Sequence, residues 1–288
     1  NNKLHQRVGN RIGEISSGEA CIKVIDKYIP AGAYKLTVDN VSRLSVGDNI
    51  EIRKPVTEKW IKFMKMDNLV RDGKAQTWIK AGKFLITERT IAAIDGNIIT
   101  LTVPLIDCYD SNYTDDNTTI VVANNVGRLK QCGVENIRIE SPAQAVNHSK
   151  ALYYALRING EDCWAKDINA METMESIGIG GRRITLQQVN VIRKALHQGA
   201  SKPAEFAPNG GQILLDRCSV EGDNIWFAAL GAGQTGPIVF LNCTFKGNGR
   251  IEGHQRWSTG ILLDNCSLPN GGIDFKNPVT VASGTFGY

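Results

Sequence analysis

The sequence predicts an all-β fold, a parallel β-helix solenoid with a small β-rich module that is inserted into it or precedes it. Two observations carry this prediction. Apolar residues recur in fixed columns with a period near 25 residues, and polar turn residues recur between those columns. The composition agrees, because glycine is frequent (29 of 288 residues) and only 22% of the residues are charged. Chains of this kind form many short strands joined by turns.

The repeat is clearest in the second half of the chain, where a reference column recurs at spacings of 26, 26, 29, 25 and 23 residues. This column consists of Ile137, Cys163, Val189, Cys218, Cys243 and Cys266. The positions five before, three before and two after it are apolar or small in all six copies. Alternate side chains of a strand share one face, so each coil is predicted to contain two strands separated by a bend. Stacked coils of this length share one core.

The predicted bend lies directly before the reference column and is mostly polar. Its residues are Asn136, Asp162, Gln188, Arg217, Asn242 and Asn265. Asn and Asp tolerate left-handed backbone angles and hydrogen-bond their neighbours, which suits a tight turn. The cysteines of the reference column are therefore predicted to be stacked core residues, since a free cysteine packs as a small hydrophobe.

The first part of the chain lacks this repeat. Residues 35–123 are predicted to form the β-rich module, residues 1–34 an N-terminal segment or first coil, and residues 124–288 the β-helix. Asp95-Gly96-Asn97 lies between two apolar runs and predicts a hairpin, and residues 57–72 are compatible with a helix. The net charge of +4 without a Lys/Arg cluster argues against a nucleic-acid partner. No stretch approaches 18 apolar residues, so no membrane partner is expected.

The sequences of residues 239–245 (VFLNCTF) and 262–268 (LLDNCSL), together with the columns, resemble the pectate-lyase-like superfamily over about residues 125–275. The resemblance implies a right-handed parallel β-helix, a secreted or periplasmic location and a polysaccharide partner. It does not fix an activity, because this fold carries lyases, hydrolases, tailspikes and binding proteins. The polygalacturonase motifs Asn-Thr-Asp, Asp-Asp and Gly-His-Gly are missing, and no calcium-binding Asp cluster of the pectate-lyase kind is evident.

The resemblance also implies a substrate groove. It would lie on the segment just upstream of the position five residues before the reference column, in each coil. The catalytic candidates on these segments are Glu252, His254 and Arg256, and the substrate-binding candidates are Trp257, Trp226, His197 and Lys202. Aromatic rings stack on sugars, and Arg binds carboxylates through two hydrogen bonds. Elimination from a uronic acid needs a base, an acid at the leaving oxygen and a cation beside the enolate. His254 is expected to be the base or acid, and Arg256 to neutralise the carboxylate.

The leading expectation is therefore a polysaccharide lyase acting on an acidic glycan by β-elimination. A glycoside hydrolase is the second choice and needs two carboxylates at a defined separation, for which Glu252 and Glu205 are the candidates. A non-catalytic glycan-binding, tailspike-like module is the third. Structural roles stay open for the same residues: His254 bonded to a turn, Arg256 in a salt bridge, and Trp257 filling a gap beneath a loop.

Two further expectations concern metal ions and the end of the solenoid. Carboxylates recur two residues before the predicted reference column, at Glu135, Glu161, Asp216 and Asp264. Calcium is a candidate ion for them, although no metal site is assigned, since single outward carboxylates are usually solvated. Residues 279–288 follow the last coil without an amphipathic cap, so an extra domain or a partner chain is expected to cover that end.

Overall fold

The computed structural model describes residues 12–13, 21–123, 127–145, 153–197, 202–253 and 257–274. It is nearly all β, with 55% strand and 4% helix. An antiparallel module is followed by a parallel β-solenoid of about four turns, which confirms the predicted fold class. No helix in the described part of the chain has the length and apolar character needed to cross a membrane.

The module contains eleven strands and two short helices within the described ranges. They are β1 (Ile12–Gly13), β2 (Ile22–Lys23), β3 (Tyr28–Ile29), β4 (Lys35–Thr37), β5 (Asn49–Val56), α1 (Glu58–Phe63), β6 (Val70–Arg71), β7 (Lys74–Ala75), β8 (Lys83–Asp95), β9 (Ile98–Leu101), β10 (Tyr109–Asp110), α2 (Ser111–Thr114) and β11 (Thr119–Val122). The main sheet has the order β2-β11-β5-β8-β9-β4, with β1 on β8. The two smaller sheets pair β3 with β10 and β6 with β7.

Local sequence signals explain two elements of the module. β8 and β9 form the predicted hairpin, with Asp95 opposite Ile98 across Gly96-Asn97. The predicted helix within residues 57–72 is confirmed as the shorter α1. Thr57 caps it by accepting a hydrogen bond from the backbone N–H of Trp60 (3.0 Å), which satisfies an otherwise unpaired donor of the first turn. The domain boundaries at residues 34 and 123 stay predictions.

The solenoid is built from strands that pair only in parallel within the described residues. They are β12 (Leu129–Lys130), β13 (Gly133–Glu140), β14 (Leu156–Met171), β15 (Ile177–Ile192), β16 (Ala204–Asp216), β17 (Ser219–Glu221), β18 (Trp226–Ala229), β19 (Gln234–Leu241), β20 (Thr244–Lys246), β21 (Arg250–Glu252), β22 (Ser258–Asp264) and β23 (Gly272–Asp274). One apolar core runs through the coils, formed by the inward side chains of each strand.

The strand register corrects the predicted reference column in its second member. Cys163 pairs with Ile184, whereas Ile168 pairs with both Ile137 and Val189. Ile168 therefore belongs to the reference column, and Cys163 stands five positions before it. The prediction was wrong here because both columns are apolar and lie five residues apart, so a shift by one column leaves an equally apolar pattern.

The bend before the corrected reference column is confirmed by its backbone angles. Six non-glycine residues adopt left-handed φ values of 50° to 56° there: Asn136, Asp167, Gln188, Arg217, Asn242 and Asn265. Asp167 takes the place predicted for Asp162. The latter has a φ of 54° in a second bend, with Arg183 and Gln212 at the equivalent positions of the next coils. In the coils of β14, β15 and β16, left-handed residues thus turn the chain at two fixed corners.

The three consecutive cysteines of the reference column are core residues, as predicted. Cys218 and Cys243 are each 1% exposed, and Cys266 is partly buried against the same core. Each thiol donates to a carbonyl of the preceding coil, at Sγ–O distances of 3.6, 3.4 and 3.3 Å respectively. The hydrogen bond with Cys218 raises the pKa of the Cys243 thiol to about 12, so this thiol stays protonated and unreactive.

The module contacts the side of the solenoid through β8. Arg89 is 1% exposed; its guanidinium donates to Pro104 O within the module and to Gly236 O of the solenoid (3.4 Å). The Thr235 hydroxyl donates to Ile86 O (3.1 Å). These bonds fix β8 of the module against Thr235 and Gly236, in the first part of β19. The module thus lies next to the face on which the groove is predicted.

Candidate functional site

The predicted groove corresponds to the parallel sheet of β14, β15, β16, β18, β21 and β23, called the outer sheet below. The strands β15, β16 and β18 enter it at a corner where two successive side chains are fully buried: Ser176 with Ile177, Glu205 with Phe206, and Phe227 with Ala228. The next residue is then half-buried on the outer surface. Two consecutive residues point inward at the corner, so the residue before them and the residue after them both point outward. Stacked from coil to coil, these outward residues form a continuous surface.

Small residues line up on this surface. Gly178 pairs in register with Ala207. In the next coil Ala228 pairs with Phe206, so Ala229, one residue later, is equivalent to Ala207. These three residues form a line across three coils, called the small-residue strip. Beyond the strip the same column continues: Ala229 pairs with Glu252, and Glu252 pairs with Asp274. The short side chains of Ala207 and Ala229 allow a ligand to approach the backbone closely there, whereas the Arg157 side chain lies over Gly178.

Trp226 stands at the edge of the strip, as the first residue of β18. It is half-buried and pairs in register with Ala204 on one side and Arg250 on the other. The Nζ of Lys202, from the preceding loop, lies 5.5 Å from the centroid of the Trp226 ring. The structure therefore brings two of the predicted substrate-binding residues together in a cation–π pair.

Arg250 and Asp274 extend this site and were missed by the sequence analysis. The Arg250 Nη1 donates to the carbonyls of Asn248 (3.0 Å) and Gly249 (3.1 Å), and its Nε lies 3.5 Å from Asp274 Oδ1. The side chain lies over Gly272, where an added Cβ would stand 3.2 Å from its Cδ and Nε. A fixed guanidinium, 38% exposed, thus follows Trp226 on the next rung.

The strip escaped the sequence analysis because its distance from the repeat columns changes. Gly178 and Ala207 stand six residues before Ile184 and Ile213, whereas Ala229 stands nine before Ile238. Turns of different length therefore hide the column until strand pairing reveals it. Glycine and alanine at equal offsets in two coils were the one available signal, and small residues are too frequent in this chain for that signal to stand out.

Two predicted site residues are buried. Glu252 and His197 are each 3% exposed, and the carbonyl of His197 accepts a hydrogen bond from Asn224 Nδ2 (3.0 Å). Glu252 lies in the strip column, whereas His197 lies in the loop before Lys202. The catalytic role of Glu252 and the substrate-binding role of His197 stay predictions.

Trp257 is held by the module. Its Nε1 donates to Asp107 Oδ2 (2.9 Å), and its ring meets Trp60 edge to face with centroids 4.8 Å apart. These contacts fit the structural alternative, in which the tryptophan fills a gap, and its role as a sugar platform stays a prediction. His254 and Arg256 lie outside the described residues, as does the chain end at 275–288 for which a covering partner was expected.

Glu205, the second carboxylate considered for a hydrolase, lies in the core. It is 0% exposed, and its Oε2 accepts hydrogen bonds from the hydroxyl and the backbone N–H of Ser176. Burial raises its pKa to about 7, against the opposing effects of Ser176 and Arg193. A substrate on the outer sheet does not reach this side chain, so Glu205 belongs to folding energetics rather than to the site.

Two of the carboxylates considered for calcium, Glu161 and Glu135, have side-chain partners within the protein. Glu161 does not belong to the predicted column after the register correction, and it forms ion pairs with Arg182 (2.9 Å) and Arg183 (2.6 Å). Glu135 accepts a hydrogen bond from the Trp164 indole (2.7 Å). In the part of the chain that the structure describes, no group of three or more His, Cys, Asp or Glu side chains is arranged to hold a metal ion.

No protein-family model and no curated protein matches the chain. Among solved structures it is similar to the tailspike of Acinetobacter baumannii bacteriophage AP22, in complex with A. baumannii capsular saccharide, with 12% identity, a TM-score of 0.36, and coverage of 88% of this chain and 57% of that one. The tailspikes of Pseudomonas phages LKA1 and phi297 show 13% and 11% identity, TM-scores of 0.33 and 0.37, and coverage of 86% and 88% of this chain. The chain spans about half the length of these tailspikes (57%, 46% and 53%).

Proposed function

We propose that this protein binds an acidic polysaccharide on the outer sheet, with the polymer running over the small-residue strip from coil to coil. The observation that carries the proposal is the convergence on that strip of the Trp226–Lys202 pair and Arg250. An aromatic face stacks on a sugar ring, and ammonium and guanidinium groups bind its carboxylates. Ala207 and Ala229 carry only short side chains and the Arg157 side chain lies over Gly178, so the strip offers a shallow surface across three coils with a cation at one end, which suits a linear anionic chain better than a compact ligand.

Affinity electrophoresis in gels that contain polygalacturonate, alginate, hyaluronan or chondroitin sulfate tests the binding. Trp226→Ala and Lys202→Gln are expected to weaken retention by one of these polymers about tenfold, since each removes roughly 1.4 kcal/mol of stacking or charge interaction. Trp164→Ala and Lys246→Gln are the matched controls, because both residues are exposed on other faces of the solenoid. Equal retention of the site variants and the wild type would refute this binding site.

The chemistry that we assign to the site is β-elimination, which would make the protein a polysaccharide lyase. Lys202 and Arg250 support this because a cation beside the uronate carboxylate stabilises the enolate. His254 and Arg256, which follow Glu252 in the sequence, are the proposed base or acid and a further cation. Formation of the unsaturated product, followed by its absorbance, is the expected result with a bound polymer. A secreted or periplasmic location belongs to the same proposal, because such polymers lie outside the cytoplasm.

Hydrolysis is the second candidate, favoured by the pairing of Glu252 with Asp274. These residues are register partners on adjacent strands, whose backbones lie about 4.8 Å apart, so two carboxyl groups stand on neighbouring rungs, and a glycosidase uses such a pair of carboxyl groups. Reducing ends released without an unsaturated product would identify this reaction. Binding without either product would identify a non-catalytic, tailspike-like module.

A further inference from the structure

A second pair of an aromatic and a cationic side chain lies at the start of the outer sheet. Tyr154 is 46% exposed, and the guanidinium carbon of Arg157 lies 3.7 Å from its ring centroid. The Arg157 Nη1 donates to the carbonyl of Glu175 (3.0 Å), and the Arg157 side chain is 42% exposed. Stacking and this bond hold the guanidinium in one place at the surface.

A glycine makes room for this guanidinium. Arg157 pairs in register with Gly178, and a Cβ at position 178 would lie 2.3 Å from Arg157 Nη1. The side chain therefore lies over the first member of the small-residue strip. Arg250 lies over Gly272 in the same manner at the other end of the sheet. Two arginines that each lean onto a glycine thus stand at either end of the strip.

The two aromatic residues hold equivalent places in their coils. Strand pairing joins the core residues Leu156, Ile177, Phe206 and Ala228 in one row across the coils. Tyr154 stands two residues before the first of this row, and Trp226 stands two residues before the last. Three strand steps separate them, which is about 14 Å at roughly 4.8 Å per step. The strip fills the interval, so one straight polymer can reach both pairs.

We propose that Tyr154 and Arg157 form a second anion subsite, which binds another carboxylate of the acidic polysaccharide that Trp226 and Lys202 hold; this rests on the proposed function. Among the described residues, the one hydrogen bond of the guanidinium is that to Glu175 O, and a carboxylate of Glu175 lies 3.9 Å from Nη2. The guanidinium has further N–H groups, and a ligand carboxylate accepts hydrogen bonds from two of them in this subsite. The subsite makes affinity depend on ligand length, because short oligomers reach one pair only.

The test measures the affinity of alginate and polygalacturonate oligomers of graded length, from disaccharide to octasaccharide, by calorimetry. For the wild type, affinity is expected to rise about tenfold at the length that first spans both pairs. Arg157→Gln is expected to abolish this rise and to leave the affinity of the shorter oligomers unchanged. Gly178→Ala displaces the guanidinium while keeping its charge, and the same loss is expected. Arg138→Gln, at an exposed arginine of another face (65% exposed), is the control with a normal rise.

The outcomes separate the two proposals. If Arg157→Gln and Gly178→Ala keep the full rise while Trp226→Ala loses binding, the second subsite is refuted and the proposed function stands. If the wild type binds no oligomer of either polymer and no polymer of the electrophoresis panel, the proposed function fails, and this inference fails with it. Thermal melting of each variant identifies any loss that comes from unfolding.

Discussion

Lys54 and Asp107 form a buried ion pair where the module meets the solenoid, with 3.0 Å between Nζ and Oδ2 and side chains only 4% and 5% exposed. The same Oδ2 accepts the indole hydrogen bond of Trp257, and Nζ lies 5.1 Å from the Trp60 ring centroid. One carboxylate thus joins a cation of the module to an aromatic residue of the solenoid. The pair thereby fixes the position of Trp257, five residues after Glu252 of the strip column.

Lys54→Met is expected to lower the free energy of unfolding by about 3–5 kcal/mol, because it leaves Asp107 buried without its cation. Urea denaturation measures this change. Lys59→Met is the matched control: Lys59 also pairs with an aspartate, Asp115, at 2.8 Å, but the side chains are 67% and 45% exposed. Water screens exposed pairs, so the control substitution is expected to change the stability far less. Equal effects of the two substitutions would contradict the importance of the buried junction.

Glu205 gives the fold a dependence on pH that a single substitution removes. Burial raises the pKa of its carboxyl from 4.5 to about 7. Below pH 4.5 the group is protonated in both states; between pH 4.5 and 7 the unfolded chain loses the proton and the folded chain keeps it. The free energy of unfolding therefore falls by about 3 kcal/mol as the pH rises across this range.

The variant Glu205→Gln has no proton to lose at this position. It is expected to resemble the wild type at pH 4 and to be more stable by up to about 3 kcal/mol at pH 8, as measured by denaturation at each pH. Subtracting the two curves cancels the other titrating groups. A difference that stays constant from pH 4 to pH 8 would show that Glu205 is not held protonated by burial.

Gly181 is expected to tolerate no side chain, because the coils stack closely there. Its φ is 87°, and an added Cβ would lie 1.9 Å from the carbonyl oxygen of Gly160 in the preceding coil. Gly47 has a similar φ of 92° and nothing within 4 Å of its Cβ position. Gly47→Ala should therefore cost about 1–2 kcal/mol for the left-handed backbone alone, and Gly181→Ala clearly more. Thermal denaturation compares the two, and equal losses would contradict the close stacking.

The seven cysteines are expected to react with a thiol reagent in two groups. Cys21, Cys108 and Cys132 are exposed, whereas Cys163, Cys218 and Cys243 are buried and Cys266 is half-buried. In the native protein the three exposed thiols should react first, and the three buried ones only after unfolding. Mass spectrometry of the labelled peptides identifies them. Early labelling of Cys218 or Cys243 would contradict their place in the core.

The sequence predicted those parts of the fold that depend on repetition. The stacked cysteines and the left-handed bend residues were found because burial and backbone geometry impose the same apolar or polar character on the equivalent position of every coil. The same repetition caused the misplacement of Cys163, since neighbouring apolar columns look alike. Only the pairing of Cys163 with Ile184 resolves the two.

The candidate site was only partly predictable. Trp226 and Lys202 were found because aromatic and basic residues are conspicuous between the repeats, and the structure places them in contact. The small-residue strip and Arg250 were not found, because they are defined by register between coils whose turns differ in length. Gly178 could not be recognised from the sequence because a glycine has no functional group. Its role becomes visible only from the Arg157 side chain that lies over it.

A structure of the protein with a bound acidic oligosaccharide is the decisive measurement. Density for the sugar chain is expected along Gly178, Ala207 and Ala229, with one ring on Trp226 and carboxylates beside Lys202 and Arg250. A ligand bound on the module, or on a face of the solenoid that lacks the strip, would contradict it.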